Sequence, residues 1–131
     1  MNIHHLAIWV RDLEKMKQFY TECLGGKAGS LYHNPHKRFT SYFISFREGA
    51  RIELMHCPSL SETPGISPEP APGWAHCAFL LRNKDEVDQL TRSLREQKIK
   101  IAGEPRMTGD GYYESVVLDP EGNRIELLSI P

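Results

Sequence analysis

A chain of 131 residues is one ordinary domain, long enough for a real core, and a formal net charge of -1 leaves no excess of basic residues for nucleic acid or a membrane surface. No apolar run approaches the roughly 20 residues of a membrane span. The start, MNIHHLAIWVRDLEK, lacks the basic opening and cleavage site of a signal peptide, and Cys23, Cys57 and Cys77 lack zinc-finger spacing, so the chain reads as cytoplasmic with reduced thiols.

In chain order, NIHHLAIWV is apolar and β-branched and predicts a strand. RDLEKMKQFYTECLGG predicts a helix, with Asp12 as N-cap, Leu13, Met16, Phe19 or Tyr20, and Cys23 or Leu24 at helical spacing, and Gly25 as the stop. Residues 39–46 and 50–56 predict two strands, and the interval before them has room for one more. The loop word LYHNPHKRF holds His33, His36 and the basic group His36-Lys37-Arg38, read as solvated. Residues 58–72 hold five of the nine prolines, Pro58, Pro64, Pro68, Pro70 and Pro72, and predict a linker. The order then repeats. GWAHCAFLL predicts a strand, and Asn83 with Glu86 at capping-box spacing opens a helix whose apolar stripe is Val87, Leu90 and Leu94. Residues 112–119 and 123–129 predict strands around a Pro120-Glu121-Gly122 turn, again with room for a strand before them.

The expected architecture is therefore α+β: two βαβββ modules, residues 1–57 and 73–131, joined by the linker 58–72 and making one cupped mixed sheet. The tetrapeptide RIEL occurs once in each module, at Arg51–Leu54 and Arg124–Leu127. Each module's first strand also carries a histidine, His5 and His76, which lie 48 and 50 residues before Glu53 and Glu126. Strand alternation places His5 with Ala7 and Trp9, away from Leu6, Ile8 and Val10. It places Glu53 with Arg51, Met55 and Cys57, His76 with Trp74 and Ala78, and Glu126 with Arg124 and Leu128. Each candidate thus lies opposite an apolar set suited to packing on a helix. Two imidazoles and two carboxylates suit one divalent ion, Zn, Ni, Mn, Fe or Co, with coordination positions left open for water or substrate. His56 falls on the face opposite Glu53 and is not a ligand candidate.

These same stretches, HHLAIWVRDLEKMKQFYTECLGG, RIEL, WAHCAFLL and LDPEGNRIELL, resemble the vicinal oxygen chelate superfamily. That family includes glyoxalase I, bleomycin-resistance proteins, extradiol dioxygenases and fosfomycin-resistance proteins. The resemblance implies a metal held by His5, Glu53, His76 and Glu126. The dioxygenase and fosfomycin-resistance branches use two His and one Glu, and methylmalonyl-CoA epimerase usually has Gln at the position of Glu53. The full set is most similar to glyoxalase I, which implies a lyase or isomerase acting on a small α-carbonyl substrate through a metal-bound enediolate. It also implies Glu126 as base, with Glu53 second. Bacterial glyoxalase I has Arg where this chain has Trp9 and Asn where it has Cys57, so the glutathione handle is absent. Trp9, Trp74, Met55 and Cys57 are expected to form an apolar substrate pocket. Tyr112 and Tyr113 are expected to cover an edge. The family implies a homodimer with sites shared between chains. The alternatives are a metal-free ligand- or drug-binding protein of the bleomycin-resistance type and an extradiol dioxygenase.

Overall fold

The computed structural model describes residues 1–60 and 73–130. Most of the linker, residues 61–72, lies outside the described residues, as does residue 131. The chain divides into two compact units, Met1–Pro64 and Gly65–Pro131.

In the first unit, strand β1 (His5–Trp9) leads into helix α1 (Leu13–Gln18), which runs on as a π-helical turn (Phe19–Cys23). Strands β2 (Lys27–Ala28), β3 (Tyr32–Asn34), β4 (Phe39–Ser45) and β5 (Arg51–His56) follow. The sheet order is β1-β5-β4-β2, with β3 also paired to β4. In the second unit, β6 (Cys77–Leu81), α2 (Lys84–Glu96), β7 (Ile101–Met107), β8 (Tyr113–Leu118) and β9 (Arg124–Ser129) make a sheet of order β6-β9-β8-β7. In each sheet the strand before the helix lies parallel to the last strand, while the other pairs are antiparallel. This is the expected α+β class with a mixed sheet in each half.

The second unit is β-α-β-β-β as expected, while the first has one strand more. The extra strand, β3, forms a hairpin with β4 out of the segment read as a loop. Asn34 closes that turn, its Oδ1 accepting from the Lys37 backbone N–H at 2.9 Å. Arg38 completes the turn at a positive φ of 54°.

The first helix is also not a uniform one. Asp12 caps it as expected, accepting from the Lys15 N–H at 2.9 Å. The ambiguity between Phe19 and Tyr20 has a physical answer. A π-helical turn carries an extra residue, so both neighbouring aromatics reach the core, at 3% and 1% exposure. Gly25 then takes φ +72°, the left-handed stop. At Gly26 a Cβ would lie 2.5 Å from Ile44 Cγ2, so only glycine lets the chain pass there.

In α2, Asn83 Oδ1 accepts from the Glu86 N–H at 3.0 Å. Glu86 reaches back to the Arg82 N–H, one residue earlier than a capping box would take it. Each helix covers one sheet face. Met16, Phe19 and Tyr20 bury with Ile44, Ile52 and Leu54, and Val87, Thr91 and Leu94 bury with Val117, Ile125 and Leu127. Thr91, absent from the expected stripe, is tolerated because its hydroxyl bonds the Val87 carbonyl and the Ser115 hydroxyl, each at 2.6 Å.

Candidate functional site

The register decides which side chains share the face that the helices leave open. In the first unit His5 pairs with Arg51, Ala7 with Glu53 and Trp9 with Met55. Phe43 pairs with Glu53 and Ser41 with Met55. Directly paired residues lie on the same side of a sheet, so His5 and Glu53 are diagonal neighbours on the face opposite Ile52 and Leu54. His5 Nε2 lies 3.7 Å from Glu53 Oε2, with the histidine side chain 37% and the glutamate 12% exposed. Buried Ser41 donates its hydroxyl to Glu53 Oε1 at 2.8 Å.

His5 has a partner of its own. Arg51 donates to His4 Nε2 at 2.9 Å, and His4 Nδ1 lies 2.9 Å from His5 Nδ1. Arginine only donates, so His4 Nε2 accepts and a neutral His4 carries its proton on Nδ1. His4 therefore donates to His5, and His5 holds its own proton on Nε2, toward Glu53. A metal on Nε2 displaces that proton.

In the second unit Ala78 pairs with Glu126, and Val116 pairs with the same glutamate from the other side. His76 precedes the first residue of β6. Its Nε2 nevertheless lies 3.1 Å from Glu126 Oε2, with the glutamate 17% exposed. Among the described residues no further side chain hydrogen-bonds this pair. Glu114, on the same face, takes Arg106 at 3.4 Å.

The other expected residues divide. Trp9 and Met55 stand beside the His5–Glu53 pair, and Trp9 lies edge-on to Phe39 at 6.4 Å. Tyr32 in turn contacts Phe39 at 5.8 Å. Phe39 and Tyr32 escaped the sequence reading because β3 was not foreseen; the His33↔Thr40 and Asn34↔Phe39 pairing is what brings them alongside. Cys57 follows the last residue of β5, so strand alternation no longer sets its side, and its sulfur accepts from Ser59 at 3.6 Å. Trp74 precedes β6 and is largely exposed. Tyr113, on the central strand β8, points to the helix, donating to Asp88 at 2.8 Å, so it faces away from the open sheet face. Burial pushes the Cys77 thiol up, as suits an unreactive residue on the helix side.

The donor chemistry fits a divalent metal. Imidazole nitrogen and carboxylate oxygen stand within a few ångströms of each other, partly buried, on one face of each sheet. Among the described residues no three or more such side chains come together in one group that could hold an ion. Among those residues no helix is long and apolar enough to cross a membrane.

Comparison with known proteins identifies the family. The chain is 28% identical over 120 residues to the mitochondrial methylmalonyl-CoA epimerase of Bos taurus, an alignment covering 90% of this chain and 66% of that one. It is 27% identical over 131 residues to the lactoylglutathione lyase of Escherichia coli O157:H7, covering 98% and 92%. It spans only 43% of a longer relative from Brassica oleracea. Among solved structures, a glyoxalase family protein from Enterococcus faecalis superposes with a TM-score of 0.76 at 28% identity, covering 96% of this chain and 95% of that one. With that family's sequence model matching residues 2–127, the chain belongs to the glyoxalase/bleomycin resistance protein/dioxygenase superfamily.

Proposed function

We propose that the protein is a divalent-metal-dependent lyase or isomerase of the glyoxalase I type, acting on a small α-carbonyl compound, with His5, Glu53, His76 and Glu126 as ligands. The observation that carries this reading is the matched pair. Each unit sets one imidazole beside one carboxylate at the same register, opposite its helix. Superfamily members commonly bind a divalent metal. Such an ion supplies positive charge for the oxyanion that develops when a proton leaves the carbon next to a carbonyl.

The residues divide the work as follows. Glu53 has one carboxylate oxygen committed to Ser41, which suits a fixed ligand. Glu126 has neither oxygen held by another donor among the described residues apart from His76, which suits the group that takes and returns the proton. Trp9, Met55 and Phe39 line the neighbouring surface and favour a substrate with an apolar body. In this reading the family's dimeric habit extends to this chain, with two-fold dimers sharing their sites.

Metal analysis of the purified protein tests the proposal, together with a turnover screen of α-carbonyl compounds with and without thiols. We expect about one divalent ion per chain, loss of turnover on chelation and its return with added metal, and weak turnover of the methylglyoxal–glutathione adduct. A protein that purifies without metal, takes none up and binds an apolar ligand would instead be a binding protein of the bleomycin-resistance kind.

A further inference from the structure

A second feature lies on the opposite face of the first sheet. A cavity of about 360 Å³ sits between the β3–β4 hairpin and the end of β5. His33 pairs with Thr40, and Thr40 pairs with His56, so these three side chains form one row across three strands. Glu53 pairs with Phe43 and has the other parity, which sets the row on the face away from His5 and Glu53. Arg38, Phe39 and the prolines Pro35 and Pro58 complete the wall.

The chemistry of the lining is one-sided. Among the described residues it contains a guanidinium, two imidazoles and a hydroxyl, and no carboxylate. Arg38 has no ion-pair partner among the described residues. His56 is fixed in direction: its Nδ1 lies 3.0 Å from the Val10 carbonyl oxygen. A carbonyl only accepts, so Nδ1 carries the proton, and in the neutral ring Nε2 is an acceptor, able to take the O–H of a ligand's acidic head group. Most of the remaining surface is apolar, from Phe39 and the two prolines. The hairpin is held by the Asn34–Lys37 hydrogen bond, so the wall exists before a ligand arrives.

We propose that this cavity is a second binding site, for a small organic anion whose carboxylate or phosphate meets Arg38, with an acidic head-group O–H donating to His56 Nε2, while its apolar body lies on Pro35 and Pro58. The site is independent of the metal centre and of the reaction proposed there.

The test is an NMR titration of the ¹⁵N-labelled chain with benzoate, phenyl phosphate and inorganic phosphate in turn. Amide shifts are expected to cluster at residues 33–40 and 56–58. Benzoate and phenyl phosphate separate the two head groups, and inorganic phosphate reports the head group without the apolar body. The Arg38→Gln variant, altered at an exposed position, is expected to weaken phenyl phosphate about ten-fold, the worth of one charge-assisted hydrogen bond. His56→Gln is expected to weaken it less, and His5→Ala not at all. Shifts spread over the chain's basic residues at large would overturn the proposal, as would affinity unchanged in both Arg38→Gln and His56→Gln. Binding lost in His5→Ala would assign the anion to the metal centre instead.

Discussion

The two units repeat one frame and then depart from it side chain by side chain. Counting outward from the RIEL words, Glu53 corresponds to Glu126, Arg51 to Arg124 and Ala7 to Ala78 through identical pairings. Around that frame the neighbours differ. Ser41, which tethers Glu53, corresponds to Glu114, which pairs with Arg106. Phe43 corresponds to Val116, Trp9 to Leu80 and His4 to Ala75. The first unit therefore holds its histidine and glutamate by third parties at a separation of 3.7 Å, while the second leaves them to each other at 3.1 Å. The repeated scaffold keeps the histidine–glutamate pair and changes what restrains it. That is a physical basis for giving equivalent glutamates different work.

The largest effect should come from breaking that division. With a substrate in hand, Glu126→Gln should lower kcat by about 10²–10⁴-fold, the usual loss of a general base, while the amide still offers an oxygen. Glu53→Gln should cost mainly metal affinity, with kcat recovering at saturating metal. Equal kcat losses under saturating metal would erase the distinction between the two glutamates. Next in size is the tether. Ser41→Ala should weaken metal binding by about 10–100-fold, the effect of removing a residue that orients a ligand. Glu114→Ala, at the equivalent position, should leave it almost unchanged, and isothermal titration with Zn²⁺ compares the two. His4→Ala should act in the opposite direction. His4 holds the proton of His5 on the nitrogen a metal needs, so removing it should tighten binding, by up to about one hydrogen bond's worth. Weaker binding would show that His4 supports the ligand instead.

The helix ends offer a comparison in stability alone. Gly25 and Lys98 occupy equivalent positions after their helices, at φ +72° and +63°. A side chain at such a φ costs roughly 1–2 kcal/mol. Lys98→Gly should therefore stabilise the chain by about 1 kcal/mol, and Gly25→Ala should destabilise it by a similar amount. Urea denaturation of the two variants measures both.

How much of this was open to a reader of the sequence follows from which interactions are local. Strand alternation and helical spacing depend on residues a few places apart, so both helices, the RIEL strands and the faces of His5, Glu53 and Glu126 were legible. Ser41 was not. Its importance comes from β4 lying beside β5 in one register, a pairing between residues twelve apart that no local pattern reports. Strand β3 was missed for a similar reason: three residues before a proline-marked turn are too short to show a period, and pairing with β4 makes them a strand. Trp74 and Cys57 were assigned by extending alternation past the true strand ends, where the ladder that enforces it has stopped.

The smallest expected effect concerns the first turn of each helix. Glu14 in α1, exposed, and Glu86 in α2, half-buried, are both carboxylates held below the usual range, for different reasons. Lys17 is the main cause for Glu14, followed by the Tyr42 hydroxyl, which donates at 2.8 Å. For Glu86 the Arg82 backbone N–H comes first, followed by the Arg82 side chain. In each case the folded pKa lies below the unfolded one. The stabilisation is therefore present above the unfolded value and is lost as pH falls through the folded value. Glu14 is exposed and Glu86 only half-buried, so each contribution to stability is small and screened by solvent. Salt should separate them. An ammonium at the surface is screened by added ions, whereas a backbone hydrogen bond has no net charge to screen. Raising the salt in a ¹³C carboxyl titration should bring Glu14 back toward its ordinary value more than Glu86. If both return equally, the charge of Arg82 rather than its backbone N–H is what holds Glu86, and the two helix starts are electrostatically alike.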